Sequence, residues 1–265
     1  MSGAAASGPA GFSDHFSRDS SSYAKFRPRY PAALFEWVTA LVTSRRLAWD
    51  CATGNGQAAV QLASHFACVV ASDPSRGQLR AAARVPGIHY VAALGEQSAL
   101  AAGRVDLVTV AQAYHWLDLP RFFAEVDRII APGGILAVWF YGTPRMSPAI
   151  DTALAGFYDG TVGPYWPAER VHVDTGYRLL PFPIEEVPAP GFTIEAELTL
   201  EQLVGYLRSW SAVGRFVAER GFDPVDAFAA ELARLWGPPG SAQRIVWPLT
   251  VRAGRWLGAA AVGSR

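Results

Sequence analysis

An alternation of short apolar runs with helical segments between residues 47 and 142 constrains the fold most. Five runs suit buried strands, at residues 47–52, 67–73, 87–96, 105–118 and 135–142. Between them, apolar residues recur every three to four positions, as in amphipathic helices, and Pro132-Gly133-Gly134 ends the last of these segments. Strands that alternate with helices at such short intervals predict an α/β fold with a parallel sheet and right-handed crossovers.

The segments before residue 47 and after residue 142 predict an N-terminal arm and an insertion in the domain. Residues 1–30 are read as a flexible N-terminal arm or lid, although an arm packed on the surface stays an alternative. Residues 31–265 form one domain, in which the proline- and aromatic-rich stretch 143–190 is an insertion or cap rather than a regular βα unit. The remaining predicted elements are a helix from Pro31 to about Ser44, strands at 191–199 and 244–256, and helices at 200–221 and 223–237.

Composition excludes several classes of protein. The 265 residues carry 23 basic and 23 acidic side chains, so no global field favours nucleic acid or an anionic membrane as a partner. Two cysteines are too few for a secreted disulfide framework, and five scattered histidines predict no metal site. No run of 18 apolar residues and no signal peptide is visible, and a cytoplasmic location is the default expectation.

The glycine loop after the first strand predicts a nucleotide cofactor. Gly54 and Gly56 stand between a strand and a helix, where the backbone can approach a ligand. The stretch fits the dinucleotide pattern G-x-G-x-x-A, but Asp50 would repel a pyrophosphate, at a cost of ~4 kcal/mol at 4 Å. The ammonium and sulfonium of S-adenosylmethionine turn this repulsion into attraction. Asp73, at the end of the second strand, suits a ribose in either cofactor.

Several motifs together resemble a known family. The stretch Asp50-Cys51-Ala52-Thr53-Gly54-Asn55-Gly56, Asp73, "DLVTVAQAYHW" and "APGG" resemble class I S-adenosylmethionine-dependent methyltransferases of the type 11-like group. "YAKFRPRYP", "AQAYHWLD" and "YLRSWSAV" are similar to a branch that includes trans-aconitate-type small-molecule methyltransferases. The resemblance implies a Rossmann-like, doubly wound sheet of seven mostly parallel strands, the last of them antiparallel. Ala52 stands where the family has glycine, which should be tolerated if its φ is negative.

The predicted site has two parts. The residues expected to bind S-adenosylmethionine are Tyr23, Arg27, Asp50, Ala52, Thr53, Gly54, Asn55, Gly56, Asp73, Pro74, Glu96, Gln97 and Gln112. The acceptor is expected to meet Tyr114, Tyr141, Tyr206 and Trp210, with His115 and Trp116 as candidate catalytic residues. His115 would serve as a base for a hydroxyl or amine acceptor, whereas a carboxylate needs none. A structural histidine beside a packing tryptophan is the alternative.

These patterns predict an enzyme that methylates oxygen, or nitrogen, of a small molecule, with a carboxylate among the candidates. Two other functions stay open: an NAD-dependent oxidoreductase, which Asp50 disfavours, and a catalytically silent protein that binds the cofactor. The sequence does not identify the acceptor or the oligomeric state.

Overall fold

The computed structural model describes residues 28–263. Most of the arm predicted at residues 1–30 lies outside this range, and so do the predicted cofactor ligands Tyr23 and Arg27. Within the described part of the chain, no helix is long and apolar enough to cross a membrane.

The predicted fold class is confirmed, with one strand more than expected. In the described part of the chain, eight strands form one sheet in the order β3-β2-β1-β4-β5-β8-β6, and β7 pairs with the N-terminal part of β8. The first five strands are parallel, and β8 runs antiparallel to β5, as predicted for the last strand. The strands are β1 Leu47–Cys51, β2 Cys68–Ser72, β3 Ile88–Val91, β4 Val105–Ala111, β5 Ile130–Tyr141, β6 Ile184–Val187, β7 Phe192–Thr199 and β8 Ala242–Trp256.

The extra strand is β6, which lies inside the range 143–190 and pairs antiparallel with the end of β8. It is only four residues long, and three of these are exposed. A short edge strand with Glu185 and Glu186 in its middle lacks the apolar alternation by which strands are recognised in a sequence. Both glutamates form ion pairs with arginines of β8, Glu186 with Arg252 and Glu185 with Arg255.

Within residues 28–263, one α-helix precedes the first strand and eight lie between strands. They are α1 Ala32–Ala40, α2 Gln57–Leu62, α3 Arg76–Ala81, α4 Leu119–Ile129, α5 Pro148–Ala155, α6 Arg170–Asp174, α7 Leu200–Arg208, α8 Ser211–Arg220 and α9 Pro224–Trp236. The helix predicted at 200–221 is wrong as one element: it breaks where Trp210 adopts an extended conformation, with φ −73° and ψ 134°. The first helix also ends earlier than predicted, at Ala40 instead of about Ser44.

Along each strand, successive side chains point to opposite faces of the sheet, and each face is covered by an apolar layer. Val108 and Val138 face a layer that contains Phe122, Val126 and Ile129 of α4. Leu107, Ala137 and Trp139 face the other layer, which continues into α1, α2 and the aromatic side chains of the second half of the chain. Both faces of the parallel strands are therefore covered, as their nearly unbroken apolar sequences predict.

Candidate active site

The glycine loop after β1 is a left-handed turn. Ala52, Gly54 and Gly56 have φ values of 53°, 57° and 84°. A Cβ atom on Gly56 would collide with the Tyr90 hydroxyl, whereas one on Gly54 would meet nothing within 4 Å. The loop therefore needs glycine at Gly56 for close packing and leaves open space above Gly54. The condition under which alanine should be tolerated here, a negative φ, is not met: Ala52 adopts a conformation that glycine adopts without strain.

The carboxylate of Asp50 stabilises this loop through hydrogen bonds. Its carboxylate is fully buried and accepts hydrogen bonds from the Thr53 hydroxyl, from the Ala59 amide at 3.1 Å and from the Thr109 hydroxyl at 2.8 Å. Burial raises the pKa of the Asp50 carboxyl to about 6, although these three hydrogen bonds act to lower it. Asp50 does not line the cavity above the loop. Its predicted direct contact with the cofactor ammonium is thus corrected to support of the loop.

Asp73 links the end of β2 to the same loop. One carboxylate oxygen accepts from the Gly54 amide at 2.8 Å, and the other accepts from the Ser75 amide, also at 2.8 Å. Asp73 and Pro74 line the cavity, where the sequence predicts ribose binding.

A cavity of about 650 Å³ lies above these strand ends. This volume falls within the ~300–1,000 Å³ typical of small-molecule sites. It brings together eight of the predicted cofactor residues: Ala52, Thr53, Gly54, Asn55, Asp73, Pro74, Glu96 and Gln112. Gly56 and Gln97 do not line it; Gly56 packs on Tyr90, and Gln97 is exposed beyond the turn that follows β3. Contact of any of these residues with a cofactor stays a prediction.

Several residues that line this cavity were not identified from the sequence. Leu117 and Asp118 directly follow the predicted pair His115-Trp116, and the Asp118 amide donates to Glu96 Oε1 at 2.8 Å. The rule that ligands bind beyond the carboxyl ends of parallel strands would have included Leu117 and Asp118 if it had been applied to two residues beyond Trp116. Glu169 and Arg215 also line the cavity but come from distant segments, for which the sequence carries no local signal.

A smaller recess of about 70 Å³ adjoins the large cavity. Gln112, Trp116, Tyr141 and Pro167 line both spaces, so they form a shared wall. The other residues around the recess are His115, Gly142, Thr143, Trp166, Arg170, Tyr206, Trp210 and Ser211. The structure thus brings together five of the six residues predicted for the acceptor and for catalysis, from segments up to 95 positions apart in the sequence (210 against 115).

Tyr114 is the sixth, and its predicted place at the acceptor is wrong. It is fully buried, and its hydroxyl donates to the Pro181 carbonyl at 2.6 Å. Its ring packs on Phe122, Tyr177 and Phe182. The chain leaves β4 through a 3₁₀ turn over Tyr114–Trp116, which directs the next two side chains to the recess and Tyr114 to the core.

His115 is a neutral imidazole at the edge of the recess. Its Nδ1 lies 2.8 Å from the hydroxyl oxygen of Tyr177. Burial, together with smaller effects of the nearby side chains of Arg170 and His172, lowers the pKa of His115 to about 3. The ring therefore carries no charge at neutral pH.

Comparison with known proteins agrees with this geometry. A family model described as a methyltransferase domain matches residues 49–138, the part that holds the glycine loop and both acidic strand ends. A Dictyostelium discoideum protein named as a methyltransferase is 32% identical over 213 residues, which are 79% of this chain and 81% of that protein. The chain belongs to the class I S-adenosylmethionine-dependent methyltransferases.

Two further methyltransferases are similar to this chain, one in structure and sequence and one in sequence. A solved structure from Anaeromyxobacter dehalogenans, described as a type II methyltransferase, has 43% sequence identity and a TM-score of 0.81. The match covers 87% of this chain and 98% of that one. A Saccharomyces cerevisiae protein, named as a probable S-adenosylmethionine-dependent methyltransferase, is 31% identical over 48% of this chain and 47% of its own length. Family membership therefore favours methyl transfer over the NAD-dependent alternative.

Proposed function

We propose that this methyltransferase moves the methyl group of S-adenosylmethionine to a carboxylate oxygen of a small molecule. The observation that carries the proposal is the wall shared by the large cavity and the recess. A cofactor above the glycine loop and an acceptor in the recess would meet at Gln112, Trp116 and Tyr141. Two adjoining spaces of unequal size fit a large cofactor and the reacting end of a smaller acceptor. The resemblance of three sequence motifs to trans-aconitate-type methyltransferases favours such an acceptor.

The electrostatics of the recess support an anionic acceptor. The guanidinium of Arg170 lies over the Trp166 ring, 4.5 Å from its centroid, beside the neutral His115. Asp174 pairs with Arg170 at 3.3 Å, but it is not among the residues that line the recess. An ammonium in the recess would therefore face Arg170 without a lining carboxylate, which disfavours amines and nitrogen methylation. The aromatic side chains of Trp166, Tyr206 and Trp210 suit an apolar body behind the carboxylate.

Methyl transfer to a carboxylate asks little acid–base chemistry of the protein. The bond between sulfur and the methyl carbon breaks as the bond between oxygen and that carbon forms, and the sulfonium becomes a neutral thioether. A carboxylate is ionised at neutral pH, so no base has to remove a proton. The protein's contribution is alignment of the two reactants and exclusion of water by the aromatic walls.

The proposal extends to residues 143–190 as a cap over the acceptor. This segment supplies Trp166, Pro167 and Arg170 to the recess and Glu169 to the large cavity. Small molecules, not nucleic acid or membrane surfaces, are the proposed partners, because the chain carries equal numbers of basic and acidic side chains. A cytoplasmic location stays a prediction.

Cofactor binding is tested by calorimetric titration with S-adenosylmethionine, S-adenosylhomocysteine and NAD. We expect the first two to bind. In Asp73→Asn only one side-chain oxygen remains for the Gly54 and Ser75 amides, so one loses its partner and affinity should fall about tenfold or more. Asp159→Asn, at an exposed position, is the matched control and should bind as the unaltered protein does. Binding of NAD alone would contradict the proposal.

The acceptor class is tested by incubation with S-adenosylmethionine and benzoate, phenol or benzylamine, compounds with one ring and different acceptor groups. Formation of S-adenosylhomocysteine is measured, and we expect it with the carboxylate and not with the amine. Turnover of the amine alone would replace oxygen by nitrogen as the target. Tight cofactor binding without turnover across a wider panel of carboxylates, phenols and amines would favour the catalytically silent protein.

A further inference from the structure

His115 and Tyr177 form a buried contact whose direction depends on which nitrogen of the imidazole carries the proton. Tyr177 is fully buried, and its ring packs against Phe140 at a centroid distance of 4.3 Å. Its hydroxyl oxygen lies 2.8 Å from His115 Nδ1, a hydrogen bond that spans 62 positions of the sequence. Either the hydroxyl donates to an unprotonated Nδ1, or a protonated Nδ1 donates to the oxygen.

The surroundings of the hydroxyl favour the first arrangement. Within the part of the chain that the structure describes, His115 Nδ1 is the acceptor within reach of this O–H group. The backbone N–H groups of His115 and Tyr114 point their positive ends toward the same oxygen, and they lower the pKa of Tyr177 against the larger rise caused by burial. A protonated Nδ1 would add another donor to this oxygen and leave a buried O–H group without an acceptor, which is the costlier state.

We propose that Tyr177 fixes His115 as the tautomer with hydrogen on Nε2, so that His115 is a hydrogen-bond donor to the acceptor and not its general base. This inference rests on the proposed function and deepens it. His115 lines the recess, and Nδ1 is occupied by Tyr177, so Nε2 is the nitrogen left to meet an acceptor. Tyr177 is a positioning residue, because it acts through His115.

The tautomer restricts the substrates that can react. With Nδ1 engaged and Nε2 protonated, the imidazole has no free lone pair with which to remove a proton from a phenol or an alcohol. A carboxylate has two oxygens, one of which can accept the Nε2–H bond while the other attacks the methyl carbon. No proton moves in this step: the carboxylate becomes a neutral ester, and the sulfonium becomes a thioether. Arg170 supplies the positive charge beside the same recess.

The tautomer is measured directly by two-bond ¹⁵N–¹H correlation spectra of the whole chain labelled at its five histidines. His115→Gln assigns the signal by removing it. We expect the pattern of an Nε2–H imidazole at neutral pH. We expect Tyr177→Phe to give a mixture of tautomers, because Nδ1 then lacks its donor. Tyr90→Phe removes a hydroxyl that donates to the Ala83 carbonyl instead, and should leave the His115 pattern unchanged. An Nδ1–H pattern in the unaltered protein would overturn the proposal, even if Tyr177→Phe fails to fold.

The donor role is tested by rates with a carboxylate that turns over, comparing His115→Gln with His115→Leu. Glutamine donates an N–H from about the position of Nε2 but is not a base, so its rate should fall by less than about tenfold. Leucine, which has no donor, should lose about 100-fold. An equal, large loss in both variants would return His115 to the role of base. Cofactor affinity, measured on the same variants, separates this result from a failure of the proposed function.

Discussion

The two halves of the molecule build their parts of the site in different ways. In residues 47–141, three polar groups of the site lie within two positions of a strand end: Thr53 follows β1, Asp73 follows β2 and Gln112 follows β4. In residues 142–263, the groups at the site come from helices and connections that no sheet edge aligns, among them Arg170 and Arg215.

The forces that hold the two halves differ accordingly. Around the glycine loop, buried carboxylates accept hydrogen bonds from the loop backbone and from threonine hydroxyls. In the second half, aromatic rings pack against one another in the core, as in the stack of Phe157 on Phe228 at 4.3 Å and the edge contact between Tyr206 and Trp247 at 5.6 Å. The first half should therefore respond most to changes of charge and backbone conformation, and the second to changes of side-chain volume.

The largest effect is expected from Trp210→Ala, which should lower the free energy of unfolding by ~3–5 kcal/mol. Trp210 is buried among Tyr158, Trp166 and Tyr206, so the truncation leaves a cavity at the recess. Chemical denaturation measures the change. Phe222→Ala is the control, because Phe222 is 60% exposed and should lose less than about 1 kcal/mol. Similar losses in both variants would mean that the stability of the second half does not depend on the volume of its buried side chains.

Asp50→Asn tests the contrasting claim, that the first half depends on charge. In the folded chain the pKa of Asp50 is about 6, against an ordinary value of 3.8. Because the folded state binds the proton more tightly, stability from this group is present below pH ~4 and is lost as the pH rises through about 6. The loss amounts to ~3 kcal/mol.

The measurement is the free energy of unfolding at several pH values between about 4 and 7, for the unaltered protein and for Asp50→Asn. The difference between the two curves should change in this window, with the variant gaining relative to the unaltered protein as the pH rises. Asp159→Asn, which alters an exposed carboxylate, should run parallel to the unaltered protein. Parallel curves for Asp50→Asn as well would show that its carboxyl titrates near its ordinary value.

The same contrast explains what the sequence could predict. Parallel strands bring their carboxyl ends to one edge, so a residue next to a strand end can be assigned to the site from the sequence. This rule places Thr53, Gly54, Asp73 and Gln112 at the cavity. It fails for Tyr114, because this residue is the first of the 3₁₀ turn that follows β4, and its side chain is buried in the core.

In the second half, periodicity predicted helices but not their mutual placement. The helix predicted at 200–221 would carry both Tyr206 and Trp210, yet Trp210 is the N-cap of a new helix, and both residues reach the recess by tertiary packing. Tyr177 was not predicted at all. Its role depends on a hydrogen bond to a residue 62 positions away, and no local pattern encodes such a contact.

The smallest expected effect concerns the backbone of the glycine loop. Ala52 has φ 53°, a conformation that costs an alanine ~1–2 kcal/mol, whereas the extra chain entropy of glycine costs ~0.5–1 kcal/mol on folding. Ala52→Gly should therefore raise the free energy of unfolding by up to ~1 kcal/mol and leave cofactor binding intact. Ala218→Gly, at an exposed position in helix α8, makes the same exchange without strain to relieve, and should lose ~1 kcal/mol. Opposite signs in these two variants would show that the strain lies in the loop, and a loss in both would mean that Ala52 sits there unstrained.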